Sequence, residues 1–114
     1  MELDTNKNEY INLEDALRRI GGNMNLYKRL LSRFTEGNSV EPLEDALLRG
    51  DMEESARLAH TLKGVSANLS LVGIRDISVD LEHAIRDGTD FSAHIAKLKQ
   101  VFNATLEIIA EIIK

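Results

Sequence analysis

Apolar residues recur along most of the chain at intervals of three and four, the spacing that lines one face of a helix. In "NLEDALRRIGG", Leu13, Ala16, Leu17 and Ile20 share a face; Asn12 can cap the start and Gly21-Gly22 can stop the helix. "NMNLYKRLLSRFTEG" continues with Leu26/Tyr27, Leu30/Leu31 and Phe34. "VEPLEDALLRG" carries Leu43, Leu47 and Leu48, out of phase with Phe34, so a kink or break is expected near Gly37 to Ser39. One bent helix and two separate helices over residues 23–49 both fit this pattern. The next helix starts at Asp51, with Glu54 three residues on as a capping-box pair, and runs to about Leu69. "LVGIRDISVDLEHAIRDG" turns Ile74, Ile77, Ser78, Leu81 and Ile85 inward and stops at Gly88. The last helix starts near Ser92 and carries Ile95, Leu98, Phe102, Leu106, Ile109 and Ile113 on its stripe. At 1.5 Å per residue it would be about 34 Å long.

Long amphipathic helices joined by short glycine-containing turns predict an all-α fold: an antiparallel four-helix bundle with a short extra N-terminal helix. The 114 residues fit one domain with one modest core, and no repeat, linker or low-complexity tract divides them. Residues 1–9 are polar and expected to be mobile, leaving residues 10–114 as the folded unit. The 14 Lys+Arg against 19 Asp+Glu, a net charge of -5, argue against nucleic acid as a partner. With no cysteine, neither disulfides nor thiolate metal sites are available. No apolar run approaches the roughly 20 residues that span a bilayer, and the polar start is no signal peptide, so no membrane contact is expected.

One stretch departs from good helix-forming practice. "LAHTLKGVSANL", residues 58–69, places Gly64 in a helix interior, where glycine costs roughly 1 kcal/mol relative to alanine. At about 100° per residue, Ser55, Leu58, Leu62, Val65, Ser66 and Leu69 cluster within roughly 60° of Leu62 and form the core face. His60 then points about 160° away, outward, among the small residues Ala56, Gly64 and Ala67. Side chains on a helix lean toward its N-terminus, so the residue at i+4 covers the residue at i. A glycine at 64 therefore uncovers the His60 ring, and Lys63 can bring an ammonium to its flank. Such a glycine fits another protein reaching the imidazole closely. The plainer readings are a surface histidine beside small residues and a glycine serving helix packing; the outward position of Gly64 weakens the second. His83 and His94 pair with no second histidine at i+4, so no metal site is expected, and "DLEHAIRD" reads as core plus solvated face.

"LAHTLKGVSANLSL" is similar to the signature of histidine-containing phosphotransfer (HPt) domains of bacterial multistep phosphorelays. "ALRRIGGNMNLYKRLLSRF", "LEDALLRGDMEESARLAHTLKG" and "LEHAIRDG" follow in the order such domains show, from about Asn12 onward. The resemblance implies that His60 is the phosphorylated nucleophile, Lys63 the charge partner of the phosphoryl group and Gly64 the residue that leaves the ring accessible. Ala56, Arg57 and Ala67 are expected to contact the partner. Two departures touch helix junctions: Ser70 stands where these domains often have glycine, and the region from Phe34 to Pro42 is slightly short. Glu82 matches a recurring "LE" of the family, with no chemistry inferred for it.

The implied reaction is reversible phosphoryl transfer between His60 and receiver-domain aspartates. A neutral imidazole is a competent nucleophile near pH 7, since histidine titrates near 6.5 when unperturbed. Transfer of this kind depends on positioning and charge neutralisation. The expected partners are response-regulator receiver domains and a hybrid sensor histidine kinase. A divalent metal is expected on the receiver and no cofactor on this chain. No G-x-x-x-x-G-K-[ST] segment is present, which points to a phosphocarrier, not an enzyme with kinase or ATPase activity. It is expected to be monomeric and cytoplasmic. Two rival readings are the phosphoacceptor domain of a sensor kinase and a helical adaptor that binds receivers without carrying phosphate. The first usually has an acidic residue after its histidine, where this chain has Thr61.

Overall fold

The computed structural model describes residues 9–114, within a body about 41 × 25 × 20 Å. The segment expected to be mobile lies outside the described residues except for Glu9, which is helical together with Tyr10. Six further helices follow: α1 (Leu13–Arg19), α2 (Met24–Gly37), α3 (Glu41–Leu48), α4 (Met52–Asn68), α5 (Val72–Asp87) and α6 (Ser92–Ile112). All the regular structure among the described residues is helical. The α2–α3 pair, α4, α5 and α6 form the bundle, and α1 is the short additional helix. Short turns between α4, α5 and α6 make these neighbours antiparallel.

Local chemistry explains the helix boundaries. The Asn12, Asn23 and Asp51 side chains accept from the backbone N–H groups of Asp15, Leu26 and Glu54, satisfying donors that a helix start leaves unpaired. Only half of the expected capping box forms at Asp51. The Glu54 carboxylate instead grips Arg57, at 2.6 and 2.7 Å, and the Asp51 N–H donates to Ala46 O. Residues 23–49 form two helices, separated at Asn38–Val40. Asn38 is extended (φ -133°, ψ 142°), and its side-chain amide donates to Phe34 O. Pro42 lies in the first turn of α3, where its missing N–H removes no helical bond. In one continuous helix its ring would collide with the Asn38 carbonyl.

The core joins all layers: Leu31 and Phe34 from α2, Leu43 from α3, Leu62 from α4, Ile74 and Leu81 from α5, Leu98 and Ile109 from α6. Phe34 and Phe102 bring their ring centroids to 5.7 Å. The buried face of α4 consists of Ser55, Ala56, Ala59, Leu62 and Ser66, whereas Leu58, Val65 and Leu69 are half-buried. This face is rotated from the one drawn by large apolar residues. Small side chains let α5 pack closely on α4, so Ala56 and Ala59 are covered by a neighbouring helix. Ala56 is therefore buried, contrary to its expected place on an exposed docking surface. Ile113 lies just beyond α6 and is exposed, so the inward stripe stops before it.

The α4–α5 turn is held from two sides. The Tyr27 hydroxyl donates to Leu69 O at 2.7 Å, and burial pushes this phenol's pKa up to about 12, keeping it a neutral donor. Ser70 adopts a left-handed conformation, φ 57°, which explains why glycine suits this position. The Ser70 hydroxyl donates to Asp15 Oδ2 at 2.8 Å, and Ser70 O accepts from the Asn12 N–H, docking α1 onto the turn. Ser70→Ala keeps the backbone strain and loses the hydroxyl bond; Ser70→Gly loses the same bond but relieves the strain. Urea denaturation should rank wild type above Ser70→Gly, and Ser70→Gly above Ser70→Ala by about 1 kcal/mol.

Candidate functional site

His60 projects from the middle of α4 with 60% of its side chain exposed. Gly64, one turn onward, is also exposed, and a Cβ built there would meet nothing within 4 Å. Gly73 behaves differently: its Cβ would come within 2.9 Å of Tyr10 Cδ1 and 3.1 Å of Val101 Cγ1. Gly73 thus serves close packing, whereas Gly64 leaves the surface beside His60 free of side chain. Lys63 is half-buried on the other flank and has no ion-pair partner among the described residues. Arg57 is exposed but already held by Glu54, and Ala67 is half-buried.

The residue that sequence reasoning missed is Glu82. It sits on the inward stripe of α5, beside Ser78 and Leu81, with only 10% of its side chain exposed. Its Oε1 lies 3.2 Å from His60 Nδ1, and its Oε2 accepts from Arg86 Nε at 2.8 Å. A glutamate on an otherwise apolar helix face is itself a signal, because a buried carboxylate needs partners. The partner's identity depended on how α4 and α5 pack, which no spacing within either helix reveals.

Electrostatics then determine the state of the ring. Burial alone would raise the Glu82 pKa, but hydrogen bonds from Arg86 and His60, aided by their charge, outweigh it and hold the pKa below the ordinary value. Glu82 is therefore a carboxylate at neutral pH and can only accept. His60 Nδ1 must carry the proton, and in the neutral ring Nε2 keeps its lone pair. The arrangement presents a nucleophilic nitrogen on an exposed ring whose rotation is restrained from behind. The other histidines are placed differently: His83 is exposed on α5, and His94 is half-buried at the start of α6 beside Asp76, Asp80 and Lys97.

A family model described as the Hpt domain matches residues 35–109, about two thirds of the chain. The chain belongs to the Hpt domain family. The match spans the α2–α3 break, all of α4 and α5 and most of α6, so it includes both His60 and Glu82. No curated protein and no solved structure matched the chain. Hpt domains act as phosphocarriers in histidine phosphotransfer relays, working with kinase and receiver domains, and this Hpt domain has that class of activity. Among the described residues, no helix is long and apolar enough to cross a membrane.

The open surface at Gly64 and the state of Glu82 each predict a measurable effect. Gly64→Ala should raise stability by up to about 1 kcal/mol, and Gly64→Gln should remain folded; thermal melts of both check this. A large loss in both variants would make Gly64 a packing residue. Because the Glu82 pKa is depressed by folding, its contribution is fully present above the unfolded value of about 4.5 and is lost as the pH falls through the lower folded value. Between pH 6 and pH 3, wild type should therefore lose more stability than Glu82→Gln, as measured by urea titration at each pH.

Proposed function

We propose that this Hpt domain accepts a phosphoryl group on His60 Nε2 from the aspartyl phosphate of one receiver and passes it to the aspartate of another. The observation carrying this reading is the exposed ring engaged at Nδ1 by a buried carboxylate. In the transfer, the Nε2 lone pair forms the P–N bond while the bond from phosphorus to the aspartate oxygen breaks, releasing a carboxylate. The Nδ1 proton stays on the ring, and Glu82 stabilises the positive charge that develops there, as a carboxylate does behind a reacting histidine. Return to a receiver aspartate is the same step reversed.

Other residues assist from the surface. Lys63 provides a mobile positive charge near the three phosphoryl oxygens, and Gly64 lets the receiver approach in line. Arg57 and Ala67 lie on the contact surface, and burial removes Ala56 from that role. We place the divalent cation on the receiver and assign no cofactor to this chain. The reading makes it a monomeric, cytoplasmic carrier, without kinase or ATPase activity, between a hybrid sensor kinase and its response regulators.

Incubation with a phosphorylated receiver tests the assignment. His60→Gln should take no label yet stay within about 1 kcal/mol of wild-type stability, since a glutamine amide can still donate to Glu82. Acid-labile, base-stable label is expected on wild type. Label retained by the variant would move the site to His83 or His94, and a wild type that binds receivers without acquiring label would be an adaptor. Lys63→Ala should slow transfer without abolishing it, with a smaller effect at high salt. Equal rates at low salt would remove Lys63 from the site.

A further inference from the structure

We infer that Arg86 is a positioning residue for phosphoryl transfer: by gripping Glu82 Oε2 it fixes the orientation of Glu82, and with it the nitrogen of His60 that is left free to react. This rests on the reading of His60 as phosphoacceptor, but its first consequence concerns the resting ring and can be measured without any donor.

The argument starts from the geometry of a carboxylate. Glu82 has two oxygens and two charged or titratable partners, one on each side: His60 from α4 and Arg86 from its own helix. The groups that hold its pKa down are Arg86 and His60, through hydrogen bonds and charge. Without the bond to Oε2, the carboxylate could rotate about its terminal torsion, which is broad for glutamate, and turn away from Nδ1. Its pKa would rise as well. Burial opposes the charged form, and the Arg86 hydrogen bond is the largest influence against that penalty. A protonated Glu82 could donate to Nδ1, leaving the ring proton on Nε2 and the outward lone pair lost.

The surroundings argue against a merely structural role for Arg86. More than half of its side chain is exposed, and it stands at i+4 from Glu82. A bridge formed only to satisfy the buried Glu82 carboxylate would cost stability on removal but leave both ring state and reactivity unchanged. What distinguishes this pair is that its acidic member also touches the histidine. Arg86 thus acts on His60 through Glu82, in the way that the partner of a ligand's second nitrogen fixes a histidine tautomer.

The test uses the whole 15N-labelled chain as wild type, Arg86→Met and Arg86→Lys. Long-range proton–nitrogen spectra across pH report which nitrogen of His60 carries the proton. Acceptance rates from a phosphorylated receiver are measured over the same range. Wild type should show the Nδ1–H form, and Arg86→Met a mixture of tautomers. Its acceptance rate should fall several-fold, and the acid limb of its profile should move to higher pH. Arg86→Lys should restore part of each effect, separating positioning from any loss of fold. Unchanged tautomer and profile in Arg86→Met would overturn the inference. If wild type takes no label while the tautomer still follows Arg86, the phosphoacceptor reading fails and the control of the ring by Arg86 is supported.

Discussion

A carboxylate almost withdrawn from water must have both oxygens occupied, because an unpaired buried charge costs several kcal/mol. Glu82 meets this condition by bridging two helices, reaching His60 on α4 with one oxygen and Arg86 on α5 with the other. On the proposed reading, the chemistry of the exposed ring depends on that bridge. Removing either partner would leave Glu82 half-satisfied, and removing Glu82 would free the imidazole to choose its tautomer and its angle. The bridge in turn requires α4 and α5 to lie close together. Ala56, Ala59 and Ser66 on α4 and Ser78 on α5 are small and buried, which permits that approach. Packing and reactivity are therefore linked: the residues that close the helix interface also bring a carboxylate of one helix to the histidine of the other.

The surface around His60 follows a different rule. Toward α5 the ring is held, whereas along α4 itself Gly64 adds no side chain and a Cβ there would find open space. On the proposed reading, the weaker helical propensity of this glycine is the local cost of access. Ser70 shows a comparable trade at the end of α4, where a left-handed backbone is accepted and its hydroxyl docks α1 onto the turn. In both places local preference yields to the needs of assembly or reaction, which is where departures from ideal helix sequence are expected.

Much of this was legible in the chain before folding. Asn12, Asp51, Gly21-Gly22 and Gly88 mark helix ends through local chemistry, so the pattern located those ends closely. The outward position of His60 followed from the helical wheel alone. Ala56 did not, because a wheel weighted by apolar bulk ignores small residues that another helix covers. Whether residues 23–49 form one helix or two depended on Asn38 becoming extended, and the pattern alone left both open. Glu82 was visible as a glutamate on an inward stripe, but its partner lies 22 residues away and becomes a neighbour only when α4 and α5 pair. Spacing within a helix carries no information about such a contact.

The central claim is that Glu82 occupies Nδ1 of His60 and so directs chemistry to Nε2. The most direct measurement is the regiochemistry of phosphorylation. The 15N-labelled domain, phosphorylated by a receiver, is examined by phosphorus–nitrogen correlation spectroscopy under non-acidic conditions. The account predicts a single phosphorus coupling to Nε2 of His60, with the proton retained on Nδ1. Coupling to Nδ1, or to a nitrogen of His83 or His94, would contradict it.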